Sequence, residues 1–374
     1  MHGGARMNFG PLLFGGTTPA LGFGAWAVGG SGWGDAGDEA ERLAALRLAH
    51  ERGVTFFDTA PTYGGGVSER LLGRALKPYR DRIALATKVG PQDDPRRSLE
   101  DSLRRLDTDY VDLVQLHEAL QGWEWQLETL HELQEEGKAR ALGLCNATHQ
   151  QLRRALELAP VVSYQAAYNL FDRDVEEREL PLCRERDLAF LAYRPLAAGL
   201  LTGKYASPPD FPPGDHRAKI YWFKEREFAR RRVVIERLRP LAHQAGVSLP
   251  ALALRWVLAR DGVTVVLAGA RNRQQVEENL AALAGPLAVD TVAMVDGIVR
   301  EVFRLPRVTA QAAKQAAAWG PRERFIVERL DGSQTAEAIA AEWTDRGDQP
   351  MVSAQVKVFV DGMVEQGLVH ADES

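Results

Sequence analysis

The feature that most constrains this chain is a repeated alternation. From about Leu21 to Leu283, short apolar runs rich in β-formers alternate with longer stretches whose apolar residues recur every three to four positions, the order expected of parallel strands joined by crossover helices. Eight runs can be counted: Leu21-Trp26, Thr55-Asp58, Ile83-Lys88, Tyr110-His117, Ala139-Cys145, Val162-Gln165, Ala189-Tyr193 and Val263-Leu267. Eight strand-helix units in this length predict an α/β fold, a closed (β/α)8 TIM barrel. The helical stretches are punctuated: between Glu39 and Arg52, Leu43, Leu46 and Ala49 share one face, Glu41, Arg42, Arg47 and Glu51 lie elsewhere, and Gly53 ends the helix.

Around this repeat the chain predicts an N-terminal β-hairpin over Phe9 to Ala20, turning at Gly15-Gly16. A Pro/Gly-rich connection follows the seventh strand, over Lys204 to Tyr221; a segment that long inside a compact domain is usually functional. After Pro306 an Ala/Gln-rich stretch and Gly320-Pro321 suggest a boundary, giving a barrel over 1-306, a connector over 307-320 and a small, mainly helical domain over 321-374. The last has its own apolar set, a turn at Asp331-Gly332, and a helix starting after a Ser353 N-cap and ending at Gly367. Its 5 basic and 11 acidic residues leave it at −6, whereas the whole chain carries −5. That balance removes the broad attraction to phosphate backbones, so nucleic acid is not an expected partner. Cys145 and Cys183 are the only cysteines; they form neither a disulfide framework nor a metal-ligand pattern, which fits a reducing cytoplasm. No apolar stretch reaches the ~18 to 20 residues of a membrane helix, and the N-terminus has no signal-peptide pattern.

A barrel of this kind works at the C-terminal ends of its strands. Asp58 ends the second, Tyr63 follows it in the loop, Lys88 ends the third and His117 the fourth. Lys88 needs a carboxylate, and Asp58 is the nearest plausible one. An ammonium beside Tyr63 would lower its pKa toward working pH, making it a general acid or base, with His117 placed to hold the reacting oxygen. Each residue alone has a bland explanation. Four ionisable types at successive strand ends are hard to explain as packing.

These residues carry a family resemblance. Phe57-Asp58-Thr59-Ala60-Pro61-Thr62-Tyr63-Gly64, Ser68-Glu69-Arg70-Leu71-Leu72-Gly73, Ala86-Thr87-Lys88 and Leu116-His117 occur in order and resemble the signature of the aldo-keto reductases. Tyr193-Arg194-Pro195-Leu196-Ala197, Gly199 to Tyr205 and Pro212 to Arg217 look like the branch holding general-stress reductases and potassium-channel beta subunits. The resemblance implies NADPH-dependent reduction of an aldehyde or ketone to an alcohol, with Asp58, Tyr63, Lys88 and His117 as the catalytic set. It also implies a cofactor lined by Gly24, Ala25 and Trp26, its carboxamide held by Asn146 and Gln165, and Tyr193 stacked on the nicotinamide. Arg194, Pro195, Leu196, Ala197 and Gly199, with Lys204 and Arg217, would embrace the pyrophosphate. Gly269, Arg271, Gln275, Glu278 and Asn279 would take the adenosine end, Arg271 pairing with a 2'-phosphate.

Arg194 departs from the branch, which commonly has Ser there; it could contact phosphate, draw an anionic substrate or be an ordinary surface arginine. Substrate-facing candidates are Trp26, Trp33, Glu118, Tyr221 and Trp222, on loops above the barrel mouth. No metal is implied, and the expected partner is a small carbonyl compound, free or carried on a peptide. A nucleotide-sensing regulatory subunit is the rival reading. The C-terminal segment resembles a winged-helix domain and the peptide-binding domain of pyrroloquinoline quinone biosynthesis; a purely structural or dimerising role is the alternative.

Overall fold

The computed structural model describes residues 20–30, 32–34, 37–303, 320–330, 336–345, 351 and 353–365. Eight strands, Leu21–Gly24 (β1), Phe56–Asp58 (β2), Ala84–Val89 (β3), Val111–Leu116 (β4), Ala139–Cys145 (β5), Val161–Ala167 (β6), Ala189–Tyr193 (β7) and Val263–Ala268 (β8), pair in sequence order into a closed barrel. Neighbouring strands are parallel, and β1 closes on β8. Most strand residues are buried, which is why each run reads as continuously apolar. The interior holds Phe56, Leu113, Leu191, Val265 and Leu267 interleaved with Ala84, Ala86, Ala141 and Ala189, so large and small side chains fill the lumen together.

The crossover helices start where the sequence provides caps. Asp38 accepts from the Ala40 amide at the start of Glu39–Glu51 (α1). Val67–Leu76 (α2) follows the Tyr63 loop, and Asp94, with Pro95 behind it, opens Pro95–Leu106 (α3). Trp123–Glu135 (α4) precedes β5, and a Thr148/Gln151 capping box opens His149–Leu158 (α5). Glu179–Glu185 (α6) leads to β7. Two helices, Glu225–Gln244 (α7) and Leu249–Leu258 (α8), lie between β7 and β8 where the repeat predicts one. Arg273–Leu280 (α9) follows β8 behind an Asn272 cap, and Val289–Phe303 (α10) comes next.

The expected β1 and β4 are too long at their ends. Trp26 has helical backbone leading into a 3-10 turn at Ala27–Gly29, and His117 lies just past β4, its amide held by the Val89 carbonyl at 2.9 Å. The expected hairpin lies outside the described residues apart from Ala20, as do the 307–320 connector apart from Gly320, the Asp331-Gly332 turn and the chain around Gly367.

The chain divides into two compact units, residues 1–172 with 179–292, and residues 173–178 with 293–374. The first contains the barrel. The second has a separate core in which Phe325, Ile326 and Leu330 from Pro321–Glu328 (α11) and its end meet Ile339 and Trp343 of Ala336–Asp345 (α12) and Val356, Val360 and Met363 of Ser353–Glu365 (α13). The Ser353 hydroxyl at the start of this last helix faces the Asp174 carboxylate, with oxygens at 2.7 and 2.8 Å. Among the described residues no single helix is long and apolar enough to cross a membrane.

Candidate active site

The β2 and β3 ends bring Asp58 and Lys88 together. Both are buried, at 3% and 1% exposure, and the Lys88 Nζ lies 2.6 Å from Asp58 Oδ1. The ammonium's other two donors reach the Thr59 carbonyl at 2.9 Å and the Tyr63 hydroxyl at 3.2 Å. All three Lys88 protons are therefore directed. Burial works against this ammonium, but Asp58 and Tyr63 outweigh it and raise the Lys88 pKa.

The second oxygen of Asp58 accepts from the Gln115 side chain at 3.1 Å and the Gln165 side chain at 2.9 Å. Gln115 was not among the residues the sequence singles out. The available signal was a lone amide inside the apolar run Val111–Leu116, and the register that pairs Lys88 with Gln115 is a tertiary fact.

Two close approaches set the Tyr63 loop. A Cβ on Gly29 would lie 2.6 Å from the Tyr63 carbonyl carbon, and one on Gly64, whose φ is +65°, would lie 2.1 Å from the Gly29 oxygen. Only glycine allows the two turns to touch. The Ser-Glu pair opening α2 braces the same region. Ser68 donates to the Ala25 carbonyl at 2.8 Å and meets the Thr59 hydroxyl, while buried Glu69 accepts from Thr87, beside Lys88, and pairs with Arg105.

Tyr63 behaves opposite to the sequence-based expectation. Burial dominates and, although Lys88 pulls the value down, the phenol is pushed up to about 12. A charged neighbour lowers the pKa of an acid only as far as lost hydration allows. His117 stands beside it, ring centroids 5.9 Å apart and near perpendicular. Burial, then the Lys88 charge, lowers its pKa to about 3. The site thus presents a neutral phenol and a neutral imidazole. Trp26 stacks on Tyr63 at 5.7 Å and 19°, and Trp33 and His216 pack on Trp26 at 5.2 and 4.2 Å; His216 is another residue the sequence did not single out.

Of the expected cofactor residues, Gly24, Ala25, Trp26, Asn146 and Tyr193 lie at or just past the ends of β1, β5 and β7, Gln165 lies in β6, and the rest are on the loops and helix that follow β7 and β8. The Tyr193 hydroxyl donates to Asn146 Oδ1 at 2.9 Å, and the Asn146 side chain donates to the His117 carbonyl at 3.0 Å. Ala197, Ala198 and Gly199 have consecutive positive φ values of 48°, 55° and 91°, bending the chain behind buried Pro195 and half-buried Leu196. Lys204 is exposed. Gln275 accepts from the Arg271 amide at 2.8 Å, Arg271 reaches the Trp33 carbonyl at 3.2 Å, and Asn279 holds the Gly269 carbonyl at 3.1 Å. Glu278 is on the outer face of α9, bonded to Gln274.

Two residues have other attachments than expected. The Arg217 guanidinium is spent on Asp215, at 2.6 and 3.0 Å, with further bonds to Tyr205 and the Trp33 carbonyl, so its charge is neutralised within its own loop. Trp222 is buried at 4% exposure rather than open above the mouth, while Tyr221 and Glu118 are exposed; Arg231 lies against the Trp222 ring. Cys145 is a buried strand residue facing Gln115, its thiol pKa raised by burial.

The family model for the aldo/keto reductase family matches residues 20–300. The chain belongs to this family. An aldo-keto reductase of Bacillus subtilis, YhdN, is 36% identical over 274 residues, covering 69% of this chain and 82% of the relative. The NADH-specific methylglyoxal reductase of Escherichia coli is 32% identical over 303 residues, covering 71% and 90%. Among solved structures, the glycerol dehydrogenase of Gluconobacter oxydans superimposes with a TM-score of 0.69 at 33% identity, covering 76% of this reductase and 92% of that chain. A Klebsiella pneumoniae aldo-keto reductase in complex with NADPH gives 0.59 at 29% identity, covering 76% and 92%. The matched region of this aldo/keto reductase contains the whole Asp58-Tyr63-Lys88-His117 cluster; the segment beyond residue 300 lies outside the family model.

Proposed function

We propose that this chain reduces an aldehyde or ketone to an alcohol with NADPH, Tyr63 supplying the proton. The observation that carries the reading is the Tyr63 hydroxyl, held 3.2 Å from a Lys88 ammonium that is itself anchored on Asp58. A phenol with a pKa of about 12 is fully protonated at neutral pH, so it is a donor and not a resting base. As its proton moves to the carbonyl oxygen, the phenolate that forms is met by the Lys88 charge; the stabilisation is largest where charge develops. His117, neutral down to about pH 3, hydrogen-bonds the carbonyl oxygen and orients it without competing as an acid. Asp58, fixed by two amides, keeps Lys88 protonated.

The nicotinamide cofactor supplies the hydride when bound. The residues present fit a dinucleotide: Gly24 and Ala25 carry little or no side chain at the end of the first strand, the chain turns sharply at Ala197 to Gly199, and Lys204 and Arg271 offer cations. Tyr193, Asn146 and Gln165 would hold the nicotinamide end, and Gln275, Glu278 and Asn279 the adenosine. Arg271 favours NADPH because a guanidinium matches a 2'-phosphate bidentately, although one relative is NADH-specific. Residues 321–374 form a separate acidic domain of winged-helix type, and the barrel works in the cytoplasm on small carbonyl compounds.

The test is loss of NADPH absorbance over a panel of aldehydes and ketones. Tyr63→Phe should lower turnover by about 10²- to 10⁴-fold, the range for a lost general acid, with NADPH affinity unchanged; near-normal turnover rejects the mechanism. Arg271→Ala should weaken NADPH more than NADH in fluorescence titrations, and equal losses reject the cofactor assignment.

A further inference from the structure

Arg194 immediately follows β7 and has left-handed backbone, φ 54°, uncommon for a long side chain. Its carbonyl accepts from the Asn169 side chain at 3.1 Å and the Ala197 amide at 2.9 Å, which ties the turn. The guanidinium carbon lies 5.2 Å from the centre of the Trp26 ring and 5.5 Å from that of Tyr193. Trp26 is the ring stacked on Tyr63, so the cation lies one aromatic ring away from the Tyr63 phenol.

Among the described residues the Arg194 guanidinium has no ion pair and no hydrogen bond, and its Nε is buried without a partner. Arg217 differs, being spent on Asp215. The same aromatic group leaves two more buried atoms unpartnered, Trp33 Nε1 and His216 Nε2. His216 Nδ1 faces the Gly32 carbonyl and must donate to it, so Nε2 carries a lone pair in the neutral ring. A cation resting on two aromatic faces is tolerated without a counter-ion, and its planar fork is shaped for a carboxylate or phosphate.

We propose that Arg194 selects the substrate: it binds an anionic group, a carboxylate or phosphate, carried by the carbonyl compound whose oxygen faces Tyr63. The assignment rests on the reductase reading above. The family resemblance assigns the cofactor's own phosphates other cations, Lys204 and Arg271.

The experiment compares 4-carboxybenzaldehyde with its methyl ester, which share a carbonyl and differ in charge, using NADPH and the full chain. Wild type should favour the acid in kcat/KM by on the order of 10- to 100-fold, the value of a charge-assisted pair, and Arg194→Met should bring the ratio close to one, the acid losing far more than the ester. Arg194→Lys should retain part of the preference. An unchanged ratio in Arg194→Met overturns the proposal. So does a matched loss for both substrates with weakened NADPH, which would make Arg194 a cofactor ligand. Benzoate binding to the NADP+-loaded protein, read by tryptophan fluorescence, separates the two readings: if neither aldehyde is reduced but benzoate binds wild type and not Arg194→Met, the reductase reading fails and the anion site stands. If benzoate binds both proteins equally, the anion site fails.

Discussion

Replacing Lys88 by Met tests how the buried charge pair is held. The substitution removes an ammonium 1% exposed and its bonds to Asp58, the Thr59 carbonyl and Tyr63, leaving the Asp58 carboxylate buried with only the Gln115 and Gln165 amides. Breaking a buried pair by removing one partner costs about 3–5 kcal/mol, because the remaining charge has neither water nor counter-ion. Deleting both charges costs much less, since no uncompensated ion remains. Urea unfolding of wild type, Lys88→Met, Asp58→Asn and the double variant forms the cycle. Lys88→Met should lose about 3–5 kcal/mol, and adding Asp58→Asn should restore a substantial part of it. A Lys88→Met loss below about 1 kcal/mol, the range of an exposed pair, or a double variant less stable than Lys88→Met, would refute the argument. Turnover should be lost in Lys88→Met and in the double variant, because both remove the charge that meets the Tyr63 phenolate.

Carbonyl reduction should have a flat pH profile across neutrality, since His117 titrates near 3 and Tyr63 near 12; a limb near the ordinary histidine value in kcat/KM that vanishes in His117→Asn would contradict it. The same depressed His117 pKa means that the unfolded chain takes up a proton that the folded chain refuses. Stability present above the ordinary value of 6.5 is therefore lost as pH falls toward about 3, and His117→Asn should flatten that slope in urea midpoints measured over this window. Gly64→Ala should displace the Tyr63 loop, because its Cβ would meet the Gly29 oxygen at 2.1 Å in a positive-φ residue; kcat/KM should fall while NADPH affinity in fluorescence titration stays close to wild type. A chain ending before Pro321 should retain NADPH binding and reduction of small carbonyl compounds, and an insoluble or cofactor-free product would show that the acidic segment is integral to the barrel.

The sequence by itself determined the eight-stranded barrel and the convergence of Asp58, Tyr63, Lys88 and His117. Strands buried on both faces must be apolar throughout, so they are visible as runs, and a charged residue at the end of such a run is conspicuous. Tertiary structure decided what depends on neighbours distant in sequence. Gln115 becomes a partner of Asp58 only through strand register. The Tyr63 pKa rises because burial, which no local pattern reports, exceeds the pull of Lys88. Arg217 and Arg194 read alike as loop cations, yet one is neutralised by Asp215 two residues away and the other rests unpaired on Trp26. The turn at Arg194 accompanies that difference: the chain there has left-handed backbone and its guanidinium lies over Trp26 and Tyr193, and side-chain direction is a property of the folded chain and not of residue type.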